Sequence, residues 1–234
     1  MTTPTVPAAA TTTSDTSAKP RYSEEFVATV MRLCGDKGTQ ADLRSGIGRT
    51  VEHCARMHRH LVPLTAPDLH PAARQARYTV AALIAARPRA TRDTDQATAP
   101  DPAQAAADSA SSDSDRSAGS AQTWSRSTNL GTSLAEGVRH GALKDDSAEA
   151  ELHLLTRQSA KAVLRRLPAL TRHLQTAGVT ISWAVLLEDL TWWDLDRDRI
   201  VTRWFDSYFR ALYAPAADGA PTNSARTNES ETNR

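Results

Sequence analysis

The sequence predicts an all-α protein, built as two small helical-bundle domains joined by a flexible acidic linker, and three observations support this prediction. Apolar residues recur every three or four positions, the period of one helix face, in both halves of the chain. No run of residues shows the sustained polar–apolar alternation of a half-buried strand. Three stretches dominated by Ala, Thr, Ser, Pro and Asp flank or separate the helical patterns.

These three stretches set the predicted domain boundaries. Residues 1–20 form an N-terminal tail, residues 91–121 form the linker and residues 215–234 form a C-terminal tail. Their side chains cannot bury enough apolar area to offset the entropy cost of ordering, so all three are predicted to be disordered. The N-terminal helical domain then covers residues 21–90, and the C-terminal helical domain covers residues 122–214.

Charge is distributed unevenly, although the formal net charge of the whole chain is only +1. Residues 21–90 contain 11 Lys and Arg against 6 Asp and Glu, whereas the linker contains 2 against 6. Opposite charges in neighbouring segments cancel in the total, and the sequence therefore predicts a basic surface that the net charge conceals.

The first domain contains three helix patterns. SEEFVATVMRLC predicts a helix with Ser23 at its N-cap, and TQADLRSGIG predicts a short helix that ends at Gly46 and Gly48. HPAARQARYTVAALIAARP predicts a longer helix that Pro88 terminates. The inward-facing positions are Phe26, Val30 and Leu33 in the first helix and Tyr78, Leu83 and Ala86 in the longest.

The second domain contains an amphipathic helix that is predicted to run from Ser147 to Gln175, with Pro168 kinking it or splitting it in two. At 100° per residue, its apolar side holds Leu152, Leu155, Val163, Leu167, Leu170 and Leu174. The opposite side holds Arg157, Lys161, Arg165 and Arg172, and Arg166 lies near the apolar edge.

This basic face has two interpretations. A solvated helix face is the simpler one, but such a face usually mixes charges of both signs so that they pair four residues apart. Here Arg157–Arg172 holds no carboxylate, and the like charges repel. That repulsion is tolerated when a polyanion covers the face, and a nucleic-acid backbone is such a polyanion.

Eight of the twelve aromatic residues lie between Trp183 and Tyr213. Aromatic rings at helical spacing beside leucines are predicted to be core residues rather than platforms on which bases stack. Trp193 follows another Trp at a predicted helix end. We expect it to be the most exposed of the group and to serve as an interface anchor.

No pattern argues for catalysis, a cofactor or a metal. The His and Cys residues of HCARMHRH match no structural zinc spacing, and the glycines near residue 46 lack the Lys-Ser/Thr of a phosphate-binding loop. The sequence contains no nucleophile elbow. Two cysteines, no signal peptide and no long apolar run predict a cytoplasmic protein without a membrane span.

Several segments in a fixed order resemble the small subunit of the type I-E CRISPR Cascade complex, the CasB family. In the second domain they are NLGTSL with the basic amphipathic helix after it, SWAVLLEDLTWWD, and RIVTRWFDSYFRAL. LCGDKGTQADLRSGIGR, HLVPL and RYTVAALIAARP of the first domain are similar to that family's N-terminal region. The resemblance spans about residues 22–213 outside the linker.

The resemblance implies a non-catalytic, all-α subunit of a crRNA-guided surveillance complex, in which it helps to hold the R-loop and the displaced non-target DNA strand. The implied partners are the large subunit, the repeated backbone subunit, a second copy of the chain, crRNA and DNA. The implied nucleic-acid-binding residues are Arg74, Arg77, Arg87, Arg89, Arg139, Lys144, Arg157, Lys161, Arg165, Arg166 and Arg172.

Two other functions fit an all-α protein with a basic face. A free-standing α-helical DNA-binding protein would present Asn, Gln or Arg to base edges, but the basic helix offers only Gln158 and Ser159 between its charges. A protein-interaction scaffold would use the same face to bind acidic partners, which could include the linker of the chain itself.

Overall fold

The computed structural model describes residues 19–88 and 128–214, and every regular element in these two ranges is helical, which confirms the predicted all-α fold. Four helices precede the gap: α1 Lys19–Leu33, α2 Lys37–Arg44, α3 Ala55–Leu61 and α4 Pro71–Ala85. Five follow it: α5 Leu130–Arg139, α6 Asp145–Thr156, α7 Ala160–Thr176, α8 Trp183–Trp192 and α9 Arg197–Leu212. Single 3-10 turns lie at Val51–His53 and Val62–Leu64.

Several predicted segments lie outside the described residues. These are the linker 91–121, the C-terminal tail, and the N-terminal tail apart from Lys19 and Pro20. Residues 122–127, with which the second domain was predicted to begin, also lie outside them. None of the described helices is long and apolar enough to cross a membrane.

The first helix begins earlier than predicted, and Ser23 is not its N-cap. Since α1 starts at Lys19, Ser23 lies inside the helix, where it is buried. Its hydroxyl donates a hydrogen bond to the Glu188 carboxylate of α8. This bond connects residues 19–88 with residues 128–214, which we call the first and second blocks of the chain. The cap of α2 is conventional, because the Asp36 carboxylate accepts a hydrogen bond from the Thr39 amide at 2.7 Å.

The predicted single helix from Ser147 to Gln175 is two helices, and the break is not at Pro168. Helix α6 ends at Thr156 and α7 starts at Ala160, whereas Pro168 lies inside α7. A tertiary contact lies at the break, where two side chains from the α8–α9 region donate hydrogen bonds to the Gln158 carbonyl oxygen. That carbonyl is therefore satisfied without a helical partner.

Helix α8 packs against both α1 and α4, and α5 packs against α9. The buried apolar residues of the two blocks consequently form one hydrophobic cluster. Close approach of α5 to α9 depends on Gly131, where a Cβ atom would collide with the backbone carbonyl group of Trp204. This arrangement leaves the polar side of α7 facing away from the core.

Much of the aromatic cluster forms part of this core, as predicted, but Tyr213 is 73% exposed and the prediction for Trp193 is also wrong. Trp183, Trp204 and Tyr208 are buried. The prediction that Trp193 is exposed is wrong, because this side chain is fully buried and its ring centroid lies 5.0 Å from that of Trp204. The preceding Trp192 is the partly exposed residue of the pair, with 36% of its surface accessible.

Candidate nucleic-acid interface

Three basic residues form a stripe along the outer side of α7. Lys161, Arg165 and Arg172 are all exposed, and we refer to these three as the basic stripe. With 100° and 1.5 Å per residue, their separations of four and seven residues place them within about 40° of arc and roughly 16 Å of helix. The opposite side of α7 is buried through Val163, Leu167, Leu170 and Leu174.

The basic stripe has no ion-pair partner among residues 19–88 and 128–214. One carboxylate is close enough for an electrostatic effect. The pKa of Glu52 is lowered, chiefly by hydrogen bonding to Thr50, and the charge of Lys161 contributes a smaller part. This interaction places the start of α7 near the 3-10 turn Val51–His53 of the first block.

Arg157 is exposed. Its predicted place on the same face as the stripe assumed one continuous helix, and the structure has two helices there instead. It is the C-cap residue of α6, and Gln158 and Ser159 separate it from α7. Its direction relative to the basic stripe is therefore set by the break between the helices rather than by the 3.6-residue period.

Arg166, next to the stripe, is paired within the chain. Its Nε donates to Glu151 Oε1 at 3.0 Å and its Nη2 donates to Glu151 Oε2 at 2.6 Å. This two-point contact raises the pKa of Arg166 above its ordinary value. Arg166 therefore connects α7 to α6, and its guanidinium is less available to an outside phosphate than those of the stripe.

Arg139 and Lys144 lie at the far end of the stripe. Both are exposed, and they flank the loop between α5 and α6, in which Gly141 adopts a positive φ of 72°. The His140 ring contacts the carbonyl oxygen of Ala177 through Nδ1 at 3.4 Å, and the His173 ring contacts that of Ala142 through Nε2 at 3.0 Å. These two contacts hold the loop against the C-terminal end of α7.

The loop contacts bring Arg139 and Lys144 to the end of α7 that carries Arg172. Sequence reasoning missed both histidines of this region, although each directly follows one of the predicted arginines in the chain, in RH at residues 139–140 and again at residues 172–173.

The predicted arginines of the first block contact their own domain. Arg74 Nη2 donates to the Pro67 carbonyl at 2.8 Å, and Arg77 Nη1 donates to the Leu64 carbonyl at 3.0 Å. The Arg77 guanidinium also lies 5.3 Å from the ring centroid of Phe26, and burial lowers its pKa.

Arg87 is only 7% exposed, and its Nε donates to the Ile84 carbonyl at 3.2 Å. A buried guanidinium can reach an outside strand only if the surrounding structure rearranges. Arg89 lies outside the described residues.

The residues of HCARMHRH also have partners in the first block. The Cys54 thiol is buried and contacts the Thr50 carbonyl, and His58 Nδ1 lies 2.9 Å from the Cys54 carbonyl. His60 and Arg59 both contact the Asp42 carboxylate, and these hydrogen bonds lower the pKa of Asp42, that from His60 most.

Comparison with known proteins identifies the family of the chain. The family model for CRISPR-associated protein Cse2 matches residues 39–209, which is well over half of the chain. None of the curated protein sequences matches.

Solved structures agree with the family model. A chain of a CRISPR RNA-guided surveillance complex in a pre-nicking state is similar at 31% identity and a TM-score of 0.66, with 82% of this chain and 94% of that chain covered. A chain of a second CRISPR RNA-guided surveillance complex is similar at 30% identity and a TM-score of 0.64, with the same coverage.

A Cse2-family protein from Thermus thermophilus shares the fold at 21% identity and a TM-score of 0.54, over 80% of this chain and 97% of that chain. The family model and the two structures at 30% identity or more agree with the resemblance in the sequence. The chain therefore belongs to the CRISPR-associated Cse2 family, the family of the type I-E Cascade small subunit.

Proposed function

We propose that this Cse2-family subunit holds nucleic-acid backbone in the R-loop of a crRNA-guided surveillance complex, including the displaced non-target DNA strand, through the basic stripe on α7. Arg139, Lys144 and Arg157 would extend the contact beyond the ends of the stripe. The subunit would act by binding alone, without a chemical step. Its partners would be the other Cascade subunits, a second copy of the chain, crRNA and target DNA.

One observation carries the proposal. The basic stripe is exposed and has no ion-pair partner in the described part of the chain, whereas the neighbouring Arg166 is paired with Glu151. Like charges four residues apart, as in Lys161 and Arg165, cost about 0.2–0.5 kcal/mol in an isolated helix. A phosphate backbone along the stripe would offset this cost by releasing its counterions.

The side chains of the stripe suit binding that does not depend on sequence. Lys and Arg contacts to phosphate position a strand but do not read its bases. In RNA-guided recognition, pairing with the guide reads the sequence, and the exchange of DNA duplex for heteroduplex is nearly balanced in free energy. A few phosphate contacts can therefore shift that balance toward the open R-loop.

The test is charge reversal of Lys161 and Arg165 to Glu in the assembled complex. Because both side chains face away from the core, the variant should fold and assemble normally. Target DNA should dissociate faster, and the dependence of the binding constant on salt should weaken by a slope of about 2 for each copy of the chain that contacts the strand, roughly one for each lost phosphate contact.

Arg199 and Arg210 of α9 provide the matched control. Their side chains are 85% and 84% exposed, and their reversal to Glu changes the net charge by the same amount. The control variant should retain target DNA like the wild type. Equal retention by both variants, or a strong preference of the wild-type chain for one duplex sequence, would contradict the proposal.

A further inference from the structure

Two histidines at the Arg172 end of the basic stripe contact backbone carbonyls in a reciprocal manner. His140 follows α5 and contacts the carbonyl oxygen of Ala177, just after α7. His173, in the last turn of α7, contacts the carbonyl oxygen of Ala142 in the loop after α5. A carbonyl oxygen only accepts hydrogen bonds, so His140 Nδ1 and His173 Nε2 must carry the protons in these contacts.

The remaining nitrogen of each ring has a charge-dependent role. In the neutral ring it is His140 Nε2 or His173 Nδ1, and it can only accept a hydrogen bond. A phosphate oxygen is also an acceptor, so the second nitrogen of a neutral ring cannot form a hydrogen bond with it. Protonation from solvent adds a second N–H donor and a positive charge, while the first N–H still donates to its carbonyl. Both side chains are exposed, which leaves them accessible to a strand.

The segments that carry or adjoin the two rings contain charges of both signs close to them in the sequence. These are Arg139, Lys144 and Arg172 on the positive side and Glu136, Asp145 and Asp146 on the negative side. Asp145 already accepts a hydrogen bond from the Tyr208 hydroxyl at 2.8 Å. A phosphate lying among the basic groups would favour the protonated form of each ring.

We propose that His140 and His173 are phosphate-binding residues that contact nucleic-acid backbone in their protonated form, so that strand binding at this end of the stripe takes up protons. This inference rests on the proposed function, because it assigns two further ligands and a pH dependence to the same surface. Imidazole changes its charge between about pH 5 and 8, which places the effect in the range where the complex can be assayed.

The test compares target-DNA binding by the assembled complex at about pH 6 and about pH 8, near the two ends of the range in which imidazole titrates. The variant is His140→Asn with His173→Gln. The Asn amide nitrogen can replace Nδ1 and the Gln amide nitrogen can replace Nε2, so both carbonyl contacts can be kept without a titratable ring. From the higher to the lower pH, wild-type affinity should rise about 3- to 10-fold more than variant affinity, because only the wild-type rings can take up a proton on binding.

Two results would overturn this inference. An unchanged pH dependence in the variant would show that neither ring takes up a proton, and an equal loss of affinity at both pH values would show that the rings only hold the loop. Each single variant is measured as well. If the double variant assembles poorly, the single variants still show whether each ring contributes to the pH dependence of binding. The proposed function is tested separately, because reversal of Lys161 and Arg165 leaves both histidines in place.

Discussion

The indole Nε1 of Trp193 donates a hydrogen bond to the backbone carbonyl oxygen of Gln158 at 3.1 Å. Arg197 Nη2 donates to the same oxygen at 2.8 Å, and its guanidinium lies 5.9 Å from the Trp193 ring centroid. Gln158 lies two residues before α7. The buried Trp193 thus holds the start of the helix that carries the basic stripe.

Replacing Trp193 with Phe should remove this hydrogen bond while most of the ring volume stays in the core. We expect a loss of about 1 kcal/mol in the free energy of unfolding, whereas Trp193→Ala should cost about 3–5 kcal/mol because it also leaves a cavity. Urea denaturation of the two variants measures both values. If the Phe variant were as stable as the wild type, the Arg197 contact alone would satisfy the Gln158 carbonyl.

Two glycines of α5 should respond differently to substitution by Ala. A Cβ atom at Gly131 would collide with the Trp204 carbonyl group, which is backbone and cannot turn away. At Gly137 it would lie 2.7 Å from Leu174 Cδ2, the end of a flexible side chain. Gly131→Ala should therefore lose about 2–3 kcal/mol, and Gly137→Ala should stay within about 1 kcal/mol of the wild type.

Thermal unfolding of the two variants side by side tests this expectation. Both variants add one methyl group to the same helix, so the difference between their melting temperatures reports the local contact of that methyl group. Equal melting temperatures would mean that α5 can move away from α9.

Asp189 should contribute more to stability than any exposed carboxylate. It is 2% exposed, it forms an ion pair with Arg203, and its Oδ2 accepts a hydrogen bond from Trp204 Nε1 at 2.7 Å. Asp189→Asn removes the negative charge that faces the partly buried Arg203 and should cost about 3 kcal/mol or more.

The control for this variant is Asp206→Asn. Asp206 forms an exposed pair with Arg210 at 3.8 Å, and its loss should cost no more than about 1 kcal/mol. Chemical denaturation of both variants gives the comparison, and similar losses in the two would contradict the role assigned to the Asp189 pair.

Tyr208 should make stability decline at alkaline pH. Its pKa is raised, mainly by burial and also by the hydrogen bond to Asp145. Because the folded-state pKa lies above the unfolded value of about 10, the stabilisation is complete below about pH 10 and is lost as pH rises further. One such proton changes the free energy of unfolding by at most about 1.4 kcal/mol per pH unit.

Comparison with Tyr208→Phe isolates this effect. The variant should be about 1 kcal/mol less stable near neutral pH, and the difference should shrink or reverse above about pH 10. Burial also raises the pKa of Cys54 and of Tyr78, but both groups remain in the two proteins. Unfolding curves recorded at several pH values should therefore differ only through Tyr208, and parallel curves would contradict the prediction.

Local patterns determined much of what was predicted from the sequence. Helix periodicity is a property of neighbouring residues, and it was enough to predict the all-α fold, the buried side of α7 and the exposure of Lys161, Arg165 and Arg172 on the other side. The spacing of the aromatic residues likewise predicted that Trp204 and Tyr208 belong to the core. The ordered segments of the family resemblance were also sufficient to identify the family.

Only the tertiary structure decided which polar groups already form ion pairs or hydrogen bonds within the chain. Glu151 pairs with Arg166 from 15 residues away, and Gln158 is contacted by Trp193 from 35 residues away. Local patterns do not relate residues so far apart, so the break before α7 and the burial of Trp193 could not be predicted from them. Contacts between distant segments are fixed only when the helices pack, and these contacts determine which cations remain available to bind phosphate.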